Sequence, residues 1–429
     1  MGGEENVEGM FTPYRILDLT NERGYICGQL LGDLGADVIK IEKPGGDPGR
    51  SIGPFFHDIP DPEKSLYWFS FNTNKRGITL DIETVDGQEI FKRLVRDADV
   101  VIESFDPGYM DKIGLGYPVL SQINPRIIMT SITGFGQTGP YKDFKAPDLV
   151  VWALSGNAYM TGDPDRAPLM PSFPVPYIFA GALQGAIGTM VALHHRQRIG
   201  EGQQVDASAQ LSLTWPVSSE PLAPWLEQGV IQKREGRVWF RSQIGVDKKT
   251  TFVGAPNIFQ CKDGDVNFTI MAGPSFGQST GALSKWIESE GMASETLKGI
   301  DWLEFEWQTV NQEVVDEFTK DFSNFFMTRT KAELFEEAQK RGIMVYPLFS
   351  PREIMELHQL KFRNYWVEVD HPELETSITY PGSFFKTSEA FAMKYRRAPL
   401  IGEHNEEVYI NDLGLSKEEL LTLKQAGVI

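Results

Sequence analysis

The sequence predicts an α/β fold in two parts, the first of them Rossmann-like, on three observations. β-like and helical runs alternate through the first 136 residues, as in parallel sheets with crossover helices. A second alternation begins with a hairpin signal near residue 251. The 429 residues, 41% hydrophobic and 23% charged, are enough for two domains with ordinary globular cores.

In order, "RILDLT" (15–20) reads as a strand, "GYICGQLLGDLGA" (24–36) as a helix with a Gly stop, and "DVIKIE" (37–42) as a second strand. That is one βαβ unit. "GITLDI" (77–82), the helical "GQEIFKRLVRDA" (87–98) and "DVVIES" (99–104) repeat it. A helix near 108–123 leads to "PRIIMTSITGFG" (125–136). No GxGxxG follows the first strand, so no dinucleotide site is assigned.

Residues 181–198 read as a helix whose small residues Gly181, Ala182, Gly185, Ala186 and Gly188 allow tight core or dimer packing. "QQVDASAQLSLTW" (203–215) reads as strand and helix. Residues 216–250 mix Pro, Trp and charge without a period and read as a linker. In "TFVGAPNIFQCKDGDVNFTIM" the "KDGD" forms a hairpin turn. "AELFEEAQKRG" (332–342) is an amphipathic helix closed by Gly. The tail "LSKEELLTLKQAGVI" is another, with Ser416 as N-cap. The domain boundaries read from this pattern are 10–215, a linker over 216–250, a small domain over 251–345, and a return over 346–429.

A net charge of −18 argues against nucleic acid or an anionic membrane as partner, and leaves room for a local basic pocket. Two cysteines, Cys27 and Cys261, lack any CxxC or zinc spacing, so no metal site is expected. They fit buried thiols in a reducing, cytoplasmic compartment. The acidic N-terminus has no apolar signal-peptide region, and the apolar stretch Ile178–Leu193 is too short to span a membrane.

The stretches "LLGDLGADVIKIEKPGGDPGR", "FNTNKRGITLDI", "ADVVIESFDPGYMDKIGLGY", "IIMTSITGFGQTGPY", "ALHHRQRIGEGQQVDAS" and "PLIGEHNEEVYINDLGLS", in this order, resemble the family III CoA-transferases. That group is also named for L-carnitine dehydratase and bile acid-inducible protein F. The resemblance covers nearly the whole chain. It implies a Rossmann-like large domain built from both chain ends, a smaller inserted domain, and two subunits threaded through each other as an interlinked, ring-through-ring dimer. It implies that an Asp carboxylate attacks an acyl-CoA thioester, giving a mixed anhydride and then an aspartyl-type CoA thioester. CoA thioester is then a substrate; no permanently bound cofactor is expected.

The chain departs from the family where that Asp belongs. Counting back from Gly200–Gln203 places the nucleophile at Ile178, or at Tyr177 if the register slips by one. No Asp or Glu occurs from Arg166 to Gly200, so no local shift restores it. Asp163 and Asp165, in "TGDPDRAP", read as a surface turn. Asp148 lies at a position that, in related acyl-CoA racemases, neighbours an acid/base residue. Here Pro147 precedes it and the second Asp is missing, so a structural carboxylate or cap is expected. The glycine-rich loop that covers the intermediate in active members corresponds to "MAGPSFGQ" (271–278), where Pro274 and Phe276 are bulky.

By resemblance the cations for CoA phosphates are Lys145, Arg23, Lys43, Lys75, Arg76 and Lys112. Lys145 is the best placed, by its spacing to Asp148; Arg23 stands where active members carry an uncharged residue. Trp152, Tyr159, Tyr177 and Phe179 near the vacated position fit an aryl substrate, a plugged pocket or ordinary core.

The expected function is the non-catalytic subunit of a heteromeric CoA-transferase, with no catalytic residue of its own. A homologous partner would supply the Asp. The complex would move CoA from succinyl-CoA to an aromatic dicarboxylic acid such as (R)-benzylsuccinate. The alternatives are an acyl-CoA racemase or isomerase using Asp148, and a CoA-binding protein without catalysis.

Overall fold

The computed structural model describes residues 9–172, 177, 180–215, 234, 236, 238–244, 250–388 and 395–429. The chain divides into two compact units, one of 1–158, 170–231 and 358–429, the other of 159–169 and 232–357.

The first unit is built on six parallel strands. They are β1 (Arg15–Asp18), β2 (Asp37–Glu42), β3 (Lys75–Thr79), β4 (Val100–Glu103), β5 (Ile128–Thr133) and β6 (Gln204–Ser208). Their order is β3-β2-β1-β4-β5-β6, the doubly wound order of the Rossmann fold. Leu17 of β1 sits in register with Ile39 on one side and Val101 on the other. β2 and β4 are rich in Val and Ile because both faces of the sheet are covered there. On one face Leu17, Ile39, Ile78, Val101 and Met129 meet α2 (Val85–Arg96), α3 (Tyr117–Ile123) and the C-terminal Val408, Tyr409 and Leu415. On the other, Ile16, Val38, Ile102 and Ile132 meet α1 (Tyr25–Asp33) and the small-residue helix α5 (Ala182–Ile199). A Cβ on Gly188 would stand 2.7 Å from the Val205 side chain, so the small residues of α5 serve sheet packing. Between β5 and α5 lies α4 (Asp148–Leu154); after β6 comes α6 (209–215).

The helix expected near 108–123 is two, Tyr109–Lys112 and Tyr117–Ile123. Gly114 between them has φ 72°, a conformation that ends a helix. The chain's return closes the β3 edge: Tyr409 donates to the Thr79 carbonyl at 2.6 Å, and His404 N–H to the Gly77 carbonyl at 2.9 Å. Ser416 caps the helix Lys417–Gln425 in a full capping box.

In the second unit Ile258–Cys261 and Gly264–Phe268 form the hairpin, joined by Val345–Pro347 as a third strand. Helices Gly277–Ser289, Gln312–Phe326 and Lys331–Arg341 close an aromatic core of Trp286, Trp302, Phe318, Phe322 and Phe326. The linker reading of 216–250 needs correction. Val238–Ile244 is a strand, paired antiparallel with Thr250–Pro256, and this unit runs from 232 rather than 251. Flanking charge hid that strand from the periodicity. Both cysteines are free and buried. No helix among the described residues is long and apolar enough to cross a membrane.

Candidate functional site

In a sheet of this order, ligands bind beyond the carboxyl ends of the strands where the winding reverses, here between β1 and β4. Beneath that point lies a buried ion cluster. Lys75 Nζ is 2.8 Å from Asp18 Oδ2 and also donates to the Tyr25 carbonyl and Asn72 Oδ1, each at 2.9 Å. Thr20 donates its N–H and hydroxyl to Asp18 Oδ1 at 2.9 and 2.6 Å. Lys40 donates to the Thr20 carbonyl. Burial opposes charge on Asp18, but Lys75 and Lys40 outweigh it and hold the carboxyl below its usual range. Burial likewise pulls the Lys75 ammonium down against the attraction of Asp18.

Two of the cations expected to meet CoA phosphates are therefore committed elsewhere. Lys75 is fully buried in this cluster. Arg76, 8% exposed, forks onto Asp37 at 2.8 and 2.6 Å and reaches Glu407 and Asp412 at 2.9 and 3.0 Å. Their carboxylate partners lie distant in sequence, so charge alone made them look free. Lys43 is exposed and pairs with Glu83 at 2.8 Å, and Lys112 is exposed on the helix Tyr109–Lys112.

Above the cluster the loops after β1 and β4 are tied together. Asn21 N–H donates to Ser104 Oγ, which donates back to Asn21 Oδ1, both at 2.9 Å. Asp106 follows in the second loop. Lys145 Nζ lies 3.1 Å from it, and Arg23 lies 3.7 Å from its other oxygen. The Arg23 guanidinium stands over the Tyr177 ring, 5.1 Å from its centre. Asp106 was absent from the sequence reading; its place in the first loop after β4 is the signal that marks it.

Position 178 and Phe179 lie outside the described residues, and Tyr177 is described. Its hydroxyl donates to the Ala146 carbonyl at 2.6 Å, and its N–H to Asp148 Oδ1 at 3.3 Å. Its ring belongs to a core of Val151, Trp152, Ala209 and Leu213. Gly134 makes room for it, since a Cβ there would stand 2.6 Å from the hydroxyl. Burial pushes the phenol to about 12, so it is no base near neutrality. Asp148 opens α4, but its side chain does not cap that helix; it holds the chain at 177 instead. Burial raises its carboxyl, while the Tyr177 N–H and Arg23 pull it down.

Tyr159 falls in the second unit and is half-exposed. Asp165 lies in an exposed turn, and Asp163 pairs with Arg166 at 3.8 Å. The loop 271–278, in the second unit, is tied down at its N-terminal end. Gly273 N–H donates to the Trp302 carbonyl, and Thr280 Oγ1 to that of Met271, at 2.9 and 2.7 Å.

Carboxylate, guanidinium and ammonium groups thus gather at the switch point around a tyrosine. The model of CoA-transferase family III matches residues 13–405. The chain belongs to CoA-transferase family III. It is 32% identical to the succinyl-CoA:(R)-benzylsuccinate CoA-transferase subunit BbsE of Thauera aromatica, over 98% of each chain. It is 34% identical to a formyl-CoA:oxalate CoA-transferase of Streptomyces coelicolor, over 97% of this chain and 98% of that one. The succinyl-CoA–L-malate CoA-transferase beta subunit of Chloroflexus aurantiacus is 31% identical over 94% of each. Among solved structures, a CAIB/BAIF family protein from Brucella suis superposes with a TM-score of 0.77 at 27% identity, over 94% of this chain and 99% of that one. Family III CoA-transferases use CoA thioesters as substrates.

Proposed function

We propose that this chain is the non-catalytic subunit of a heteromeric, cytoplasmic family III CoA-transferase that moves CoA from succinyl-CoA to an aromatic dicarboxylic acid such as (R)-benzylsuccinate. The observation that carries this reading is the absence of any Asp or Glu between Asp165 and Glu201, the stretch that should hold the nucleophile. Similarity to a relative named as a benzylsuccinate CoA-transferase subunit supports the substrate and the partnership. In this reading the partner's Asp attacks the succinyl thioester: its oxygen bonds to the acyl carbon and the C–S bond breaks. The released CoA thiolate then attacks the aspartyl carbonyl, expelling succinate. The acceptor carboxylate next attacks the aspartyl thioester, breaking its C–S bond to release CoA thiolate and form a second anhydride. The thiolate then attacks the acceptor's acyl carbon, and the anhydride C–O bond breaks to restore the Asp carboxylate. Of the six cations expected to meet CoA phosphates, Lys145, Arg23, Lys43 and Lys112 are not buried in ion clusters. The test is succinyl-CoA-dependent transfer to benzylsuccinate by this chain alone and co-expressed with the homologous subunit that carries the Asp. Activity only in the pair, lost when that Asp is changed, supports the reading; activity from this chain alone overturns it.

One observation favours a second reading, a racemase or isomerase: Asp148 is half-buried with its carboxyl raised, mainly by burial. Washout of an α-proton label from an acyl-CoA, abolished by Asp148→Asn, would establish it.

A further inference from the structure

Several arginines of the first unit, Arg15, Arg50, Arg76, Arg196 and Arg397, hydrogen-bond to a carboxylate, most with further acceptors. Arg23 is held differently, by an aromatic ring and a long ion pair at the switch point. Its side chain is 29% exposed, lies on the Tyr177 ring, and comes only within 3.7 Å of Asp106. Among the described residues its guanidinium donates no hydrogen bond. A half-buried guanidinium with five N–H donors, held among the described residues only by a long ion pair to Asp106, can turn its fork to a ligand carboxylate. Contact with the Tyr177 ring restrains the guanidinium, so less side-chain freedom is lost when an acid docks.

The neighbours fit an incoming acid. Asp106 has Lys145 as an alternative partner at 3.1 Å, so it loses no sole counter-charge if Arg23 turns to a ligand. Arg23 also sits over the ring of Tyr177, the residue next to the position where the resemblance puts the nucleophile. On that reading an acyl carboxylate, rather than a CoA phosphate, is the group that comes near it.

We propose that Arg23 is a specificity-determining residue that seats the free carboxylate of a dicarboxylic ligand, either the distal carboxylate of succinyl-CoA or that of the acceptor acid. The substrate class rests on the reading above; the binding does not need turnover. The experiment is calorimetric titration of the full-length chain, alone and in complex with its homologous subunit. The two arms are succinyl-CoA against butyryl-CoA, and benzylsuccinate against 4-phenylbutyrate; each pair differs in one carboxylate. The expected result is a preference of about 10- to 100-fold for the carboxylate-bearing member in at least one arm, which names the source. Arg23→Gln abolishes that preference, and Arg23→Lys keeps only part of it, since an ammonium lacks the planar fork. No preference in the wild-type chain, or one undiminished in Arg23→Gln, overturns the proposal. So does an equal loss of succinyl-CoA and butyryl-CoA binding in Arg23→Gln, which would make Arg23 a phosphate ligand. A chain active on its own would overturn the silent-subunit reading while leaving the carboxylate seat standing.

Discussion

Tyr177 is held at three points: hydroxyl to Ala146, N–H to Asp148, ring face to Arg23. Tyr177→Phe strands a buried carbonyl and is expected to cost about 1–2 kcal/mol. Tyr177→Ala, which also opens a cavity in the α4 and α6 core, should cost about 3–5 kcal/mol. Urea unfolding midpoints measure both; equal midpoints for wild type and Phe would mean that the hydroxyl bond is idle. The missing carboxylate was legible because a run without Asp or Glu needs no fold to be seen. The job of Asp148 was not, since it spans 29 residues to a backbone N–H. Lys75 and Arg76 misled for the same reason: Asp18 and Glu407 neutralise them only after folding.

The central strands β2 and β4 were legible because β-branched runs buried on both faces leave a continuous apolar signature, which the strand Val238–Ile244 lacks. The strand order was not, since nothing local tells β1 that it will lie between β2 and β4. One consequence of that order is testable. Glu103 ends β4 fully inside the protein, accepting the Phe105 N–H at 2.7 Å. Burial, aided by Asp206 and Asp111 and opposed by Ser131 and Phe105, raises it from 4.5 to about 7. Its folded pKa thus exceeds its unfolded one. The native state binds the extra proton between about pH 4.5 and 7, so stability falls as pH rises through that window and levels off above it. Glu103→Gln removes the term, and the gap between the two proteins should close by up to about 3 kcal/mol as pH falls from 7 to 4.5. Parallel stability curves for the two would show that the carboxyl is ionised throughout.

At the scale of the whole molecule, alternation of strands and helices carried the α/β class, and the family match spans nearly the full length. Assembly is a different matter. An interface needs a second surface, and one sequence holds only half of it. The silent-subunit reading nevertheless makes a prediction about the assembled complex. A carboxylate nucleophile leaves a CoA thioester on the chain that attacks. The complex, incubated with succinyl-CoA and no acceptor, quenched in acid and digested, should carry that adduct on the partner's Asp peptide alone. This chain's peptides containing Asp148 and position 178 should remain unmodified. Ile178→Asp restores a carboxylate at the expected position. Because the buried Tyr177 ring adjoins that position, that change alone should yield little or no adduct. Ile178→Asp combined with Tyr177→Gly should yield more, if the tyrosine is what blocks the site. An adduct on Asp148 of the wild-type chain would make it the nucleophile and this subunit a catalyst in its own right.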